Sequence, residues 1–460
     1  MPSDPVTPAV SAWEDDPGPA ILVMRPVPDL ARTPLAFAFP TPQPPAALHQ
    51  PGTPEFRYWA AADALRRAAD FWAPRVPGGA WQMGPVLNVI LDEGEDLNAY
   101  YDRQALNFFH GSYNGATVYS GESPDIVCHE MGHAILDAIK PQLWNAASHE
   151  AAAFHEAFAD MSAILSALQL PSLRQAVLSE TGGQLYRNSR LSRLAEQLGA
   201  AIRAQAPDAV DADCLRNAVN SFTYQDPVNL PQAGPASQIS SEAHSFSRVF
   251  TGAFFEILGG LLGARSETPT SDELLAVSAE IADILVAGVK AAPVVPNWYA
   301  QVAAAMVQAS DPVNPAYPAI LRAIFVRRSI LSLATASNAQ ALQASIATAP
   351  VHASEPLASI ALPSDEYGLA KPLLVEAASH PRSFVATAAA THGNGAAEPP
   401  SSSTAARAFV DDLFTRGRVH YGEVGLAHLN HGRRLRSHKL VAEGDAIRLH
   451  RCLFDCGLAH

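Results

Sequence analysis

Charge is scarce in this chain. Only 17% of its 460 residues are charged, and acidic residues outnumber basic ones by 45 to 31, for a formal net charge of −14. A protein so short of positive charge lacks the basic footprint of a nucleic-acid binder. Cysteine is also scarce, with only Cys128, Cys214, Cys452 and Cys456. Four cysteines at these spacings are no disulfide scaffold. Cys128 is expected to pack as a small apolar residue, whereas Cys452 and Cys456 lie close enough to pair or to bind a metal. The start, "MPSDPVTPAVSAWEDDPGPAILVMRP", lacks the basic stretch and apolar core of a secretory signal. No run approaches about 18 uncharged apolar residues, so no membrane span is expected. The expectation is a cytoplasmic protein, with unconventional export left open.

Hydrophobic residues make up 48% of the chain, enough for a substantial core in two or three domains. Alanine is abundant and favours helix. Residues 1–55 are rich in proline and read as an extended arm. A helix is expected in "EFRYWAAADALRRAADFWAP" and a strand in "PVLNVILDE", with short strands and turns after it. From Ser123 and Pro124, an N-cap followed by a first-turn proline, the pattern becomes helical. A second helix covers "ASHEAAAFHEAFADMSAILSAL", and further helices are expected near 186–205, 245–262, 271–290, 297–309 and 314–335. The fold class is therefore α+β. A mixed lobe (about 56–140) precedes a mostly helical one (141–335). Residues 336–403 read as an alanine-rich connector and linker. Residues 404–460 read as a small appended α/β domain with a hairpin around "EGD".

The stretch that carries chemistry is "CHEMGHAIL", residues 128–136. On a helix, residues four apart share a face, so His129 and His133 can address one metal ion. Glu130 lies about 100° around from His129, within reach of a water on that metal without ligating it. Zinc makes such a water acidic, and the glutamate can take its proton and pass it to a leaving amine. A catalytic zinc needs a third protein ligand. Downstream, "HEAFAD" offers Glu156, with Asp160 four residues on to accept the free N–H of a zinc-bound histidine. Glu150 and His155 are rival third ligands.

Together these stretches resemble the thermolysin-like gluzincin metallopeptidases. That family pairs an HExxH helix with a later helix bearing a zinc-binding glutamate and an aspartate four residues on. "NAYY", residues 98–101, resembles the family's "NAFW" edge strand, which holds the substrate. "EAHSFSRVFTGAFF", residues 242–255, resembles the helix start whose histidine stabilises the oxyanion. The resemblance covers roughly residues 56–335. It implies a zinc cleft between the two lobes. It further implies His129, His133 and Glu156 as zinc ligands, Asp160 behind them, Glu130 and His244 as catalytic residues with Ser247 in the latter's motif, and Asn98 and Ala99 as substrate-binding. Arg216, in "CLRNAVN", loosely matches a family arginine that binds the substrate carbonyl.

Two departures stand out. Residues 134–155 contain no tyrosine, where the family usually carries one beside the catalytic histidine; Tyr224 is a candidate substitute. Asp125 matches one ligand of the family's double calcium site, but the partner glutamate expected eleven residues after Glu156 is Ala167. Calcium is not expected there, and Asp125 reads as a helix N-terminal charge. The expected activity is cleavage within peptides or proteins. An aminopeptidase on the same core is the first alternative, although no "GxMEN"-like anchor for a free amine is present. A binding scaffold with weak or no activity is the second. The sequence leaves oligomeric state open.

Overall fold

A computed structural model describes residues 8–17, 21–76, 81–333, 356–378, 400–422 and 436–457. Helix and strand are mixed, with helix predominant and the strands in several small sheets. The expected arm contains a hairpin, β1 (Ala9–Trp13) with β2 (Leu22–Pro26), and a short strand β3 (Phe37–Ala38). The first helix, α1 (Pro54–Trp72), starts as local chemistry dictates: Thr53 caps the Phe56 amide and Pro54 opens the first turn.

The sheet that matters for the site has five strands. Four are β3, β4 (Leu87–Ile90), β5 (Ala99–Tyr101) and β6 (Ala105–Phe108). Strands β3, β4 and β6 run parallel, and β5 lies antiparallel on β6. This leaves β5 with one open side. The fifth strand comes from the far end of the chain and fills that side, as described below. A separate hairpin follows, β7 (His110–Tyr113) with β8 (Ala116–Tyr119). Asn114 and Gly115 form its turn with φ of 50° and 77°, the left-handed pair that tight hairpins require.

Helix α2 (Pro124–Ile139) and helix α3 (His149–Ala167) form the centre of the core, with α6 (Ala243–Arg265) on the other side of α3. Gly132 allows the close approach of α2 and α3: a Cβ there would lie 2.7 Å from both Ala159 Cα and Ser162 Cβ. Trp72 of α1 donates its indole N–H to Ser162 Oγ and braces the same crossing. Between α3 and α6 lie α4 (Pro171–Thr181), β9 (Arg193–Leu194), α5 (Glu196–Gln205) and β10 (Arg216–Asn217). The helix expected at 186–205 is therefore shorter and is preceded by a strand. Helices α7 (Ser271–Ala291), α8 (Trp298–Ser310) and α9 (Tyr317–Arg327) complete the helical part. Among the described residues, α6 alone is long and apolar enough to cross a membrane. Its most apolar window is 78% buried, and it packs on α3, α7 and α9 as a core helix does.

The second five-stranded sheet contains β11 (Ala358–Leu362), β12 (Leu373–Ala377), β13 (Val419–His420), β14 (His438–Glu443) and β15 (Ala446–Arg451). Strands β14 and β15 form the hairpin expected around "EGD", and α10 (Ser402–Thr415) packs on β11 and β12. Strands β11 and β12 arise within the stretch read as connector, yet they pair into this sheet. Most of the glycine- and alanine-rich linker lies outside the described residues. After β15 the chain turns back to the first sheet as β16 (Phe454–Asp455).

Candidate metal centre

Helix α2 starts where the sequence said it should, with the Ser123 hydroxyl accepting from the Ile126 amide. His129, Glu130 and His133 are all buried on it, and their ligand atoms lie within 4.8 Å of one another, a group able to hold a metal ion. Glu156, from α3, faces both histidines: its carboxylate oxygens lie 3.4 Å from His129 Nε2 and 3.8 Å from His133 Nε2. His129 Nε2, His133 Nε2 and Glu156 Oε2 are buried without a hydrogen-bond partner among the described residues. Leaving such atoms unpaired is costly unless something not described here satisfies them. Three orphaned ligand atoms, two imidazole and one carboxylate, match the donor set of a catalytic zinc site.

Behind this group sits Asp160. Its Oδ1 accepts from His129 Nδ1 at 3.0 Å, which leaves Nε2 as the free face of the ring. Arg216 of β10 clamps the same carboxylate, with Nη2 2.8 Å from Oδ1 and Nε 3.1 Å from Oδ2. Burial opposes charge on Asp160, but Arg216 and His129 hold its carboxyl well below the usual carboxylate range. Burial would likewise lower the His129 pKa, yet the hydrogen bond to Asp160 and the nearby Glu156 carboxylate raise it to about 9. His133 lacks such partners, and burial together with the neighbouring cations pushes it well below the ordinary histidine value. Glu130 is fully buried, and desolvation raises its carboxyl to about 8.

No known protein family's sequence profile matches this chain, and no curated protein does either. The site therefore rests on its own geometry.

His244 begins α6 beside this group. Its Nδ1 lies 2.8 Å from Glu242, the helix N-cap residue, and its Nε2 lies 3.3 Å from Glu156 Oε2. Burial lowers its pKa, but Glu156 and Glu242 outweigh that and raise it to about 9. Ser247 is buried below it, donating to the His244 carbonyl at 2.8 Å.

Asn98 and Ala99 lie at the start of β5, both buried. An extended chain pairs with this strand, and it is the protein's own C-terminal end. Strand β16 lies antiparallel on β5 with Phe454 opposite Tyr101 and Asp455 opposite Tyr100. The Cys456 amide then donates to the Ala99 carbonyl at 3.0 Å, and Gly457 packs on the Asn98 side chain.

Several candidates have other roles in the structure. Arg216, read as a substrate ligand, is occupied by Asp160, although it lines a cavity of about 750 Å³ together with His244 and Cys456. Tyr224 donates its hydroxyl to Glu150 at 2.6 Å. Glu150, the rival ligand, is committed to that bond and to the Tyr299 amide, also at 2.6 Å. His155, the other rival, stacks on Phe454 and His133, and its ring nitrogens are buried without a hydrogen-bond partner among the described residues. Asp125 accepts from the Ala195 amide and lies near Asp16, so it is more than a helix N-terminal charge. Cys128 is buried with its thiol toward the Ala64 carbonyl, and all four cysteines are free. The residues missed in the sequence are Phe454, Asp455, Arg418 and Arg451, whereas Cys456 was noted there only with Cys452, as able to pair or to bind a metal. Their only signal was the pair of terminal cysteines beside a hairpin.

Proposed function

We propose that this protein is a zinc-dependent metalloendopeptidase, with its site in a cleft between a mixed lobe and a helical one. The observation that carries the reading is the convergence of His129 Nε2, His133 Nε2 and Glu156 Oε2, buried and without a hydrogen-bond partner among the described residues, with Asp160 orienting His129 from behind. These three would hold zinc, which when bound supplies a Lewis acid that polarises the scissile carbonyl and makes water acidic near neutral pH. Glu130 stands among the ligands without being needed as one. Its carboxylate accepts a proton as water oxygen bonds to the carbonyl carbon, and returns it to the amine nitrogen as the C–N bond breaks. Burial favours its neutral form, while a divalent cation beside it would favour the carboxylate.

His244 supports the second half of this account. Its Nε2 already contacts a backbone carbonyl oxygen, that of Asp455, at 2.6 Å. A charged imidazole donating there stabilises negative charge developing on a substrate oxygen. Asn98 and the Ala99 carbonyl position an extended peptide by strand addition, the mode seen with the chain's own end. Pairing along β5 does not call for a free amino terminus, which favours cleavage within chains over aminopeptidase action.

Library cleavage tests this reading, with zinc measured in every sample. Cleavage by the wild type or by Cys456→Ser, abolished by Glu130→Gln at unchanged zinc content, is expected. Zinc-loaded protein of both kinds that cleaves no peptide would overturn it.

A further inference from the structure

The last described residues do more than complete a sheet. Phe454 stacks on His133, centroids 5.1 Å apart and planes within 15°, and on His155 at 4.0 Å. The Arg451 guanidinium lies over the same ring, 4.0 Å from its centroid. The Asp455 side chain pairs with Arg418, while its carbonyl accepts from His244. Its peptide group thus occupies the place a substrate carbonyl needs. Cys456 follows directly. It is 2% exposed, its amide is paired to β5, and its thiol stands beside the Glu130 carboxyl. It lines one small cavity with His129, Asp160 and Arg216. Gly457 finishes the fit: a Cβ there would lie 2.4 to 2.7 Å from the Asn98 amide atoms.

The alternatives for such a thiol are few. Disulfide pairing is absent, since all four cysteines are free. Simple packing does not account for a buried thiol beside Glu130, the carboxyl whose ligand atom lies within 4.8 Å of those of His129 and His133. Cysteine sulfur is a strong ligand for zinc, and a catalytic zinc keeps its fourth position open.

We propose that Phe454–Gly457 is a built-in occupant of the peptide site and that the Cys456 thiolate is the fourth ligand of the metal, holding the protein latent. This rests on the zinc-peptidase reading of the same site. Coordination displaces the water that hydrolysis needs and releases the thiol proton to solvent. The Asp455–Cys456 bond survives because sulfur stands where the nucleophile would. Activation then requires displacement of this strand.

Cobalt(II) substitution of the full-length protein tests the ligand directly. Wild type and Cys452→Ser are expected to show a near-ultraviolet thiolate-to-cobalt charge-transfer band together with visible cobalt bands. Cys456→Ser, or Cys456→Ala if the buried hydroxyl disturbs folding, should keep the visible bands and lose the charge-transfer band. Visible bands without a charge-transfer band in the wild type would overturn the proposal. Visible bands unchanged by His133→Ala would overturn the metal-site reading itself, and this proposal with it. Latency is read separately on an N-blocked peptide: Cys456→Ser should hydrolyse it roughly tenfold faster or more, as the open fraction rises. Equal rates at equal zinc content would contradict latency while leaving the peptidase reading intact.

Discussion

His244 and Asp455 meet across 211 positions of sequence, the imidazole Nε2 lying 2.6 Å from the Asp455 carbonyl oxygen. The same ring is anchored on its other nitrogen by Glu242. A histidine so held is a preorganised donor to one backbone oxygen. His244→Ala should therefore lower kcat by roughly 10²–10³-fold, the usual cost of one such donor. Zinc content should not change. A variant that loses only KM would show that the ring merely binds.

Asp160 accepts hydrogen bonds from two partners, His129 and Arg216, and its removal should be felt twice. Asp160→Asn leaves Arg216 buried without its anion, which costs roughly 3–5 kcal/mol of stability. It also weakens the orientation of His129, with a fall in zinc affinity of about 10–100-fold. Urea denaturation and competition with a zinc indicator measure the two effects. Wild-type affinity in a folded Asp160→Asn would contradict the role given to this carboxylate.

Gly457→Ala examines the terminal strand without touching the thiol. The added Cβ meets the Asn98 amide and has no room to fit without moving it. The strand should detach more often, and hydrolysis of a peptide should rise above wild type. An unchanged rate would mean that the last strand does not obstruct the site.

How much of this was legible in the sequence follows from how local each feature is. Helices α2 and α3 were readable because caps, periodicity and ligand spacing all act within a few residues. Glu156 and Asp160 could be placed for the same reason. Asn98 and Ala99 were read as substrate-binding, and the strand that pairs beside them, β16 of the same chain, was invisible in the sequence. Pairing of Phe454 with Tyr101 joins segments far apart in the sequence, and nothing in "CLFDCG" specifies that partner. Arg216 was found by resemblance, yet its partnership with Asp160 depends on β10 passing α3, a tertiary fact. The hydroxyl of Tyr224 belongs to Glu150 for a similar reason: burial decides what a polar group must satisfy.

Stability should depend on pH through a second buried group. The Asp16 carboxyl is raised from 3.8 to about 7, chiefly by burial, although the Gln197 amide and the Ser123 hydroxyl oppose the shift. The fold retains a proton there that the unfolded chain gives up. Its contribution is complete below about pH 4 and is lost as pH rises to about 7. Urea midpoints should fall across that window, and Asp16→Asn should flatten the fall. Parallel profiles for the two proteins would contradict the assignment.

The central claim is that Glu130 works as a proton carrier at a zinc site. The most direct measurement compares hydrolysis of an N-blocked peptide by Cys456→Ser and by Cys456→Ser with Glu130→Gln, zinc being quantified in both. The account predicts one bound zinc in each and a fall in rate of roughly 10²–10⁴-fold on losing the carboxylate. Equal hydrolysis by the two proteins, or none by either with zinc bound, would contradict it.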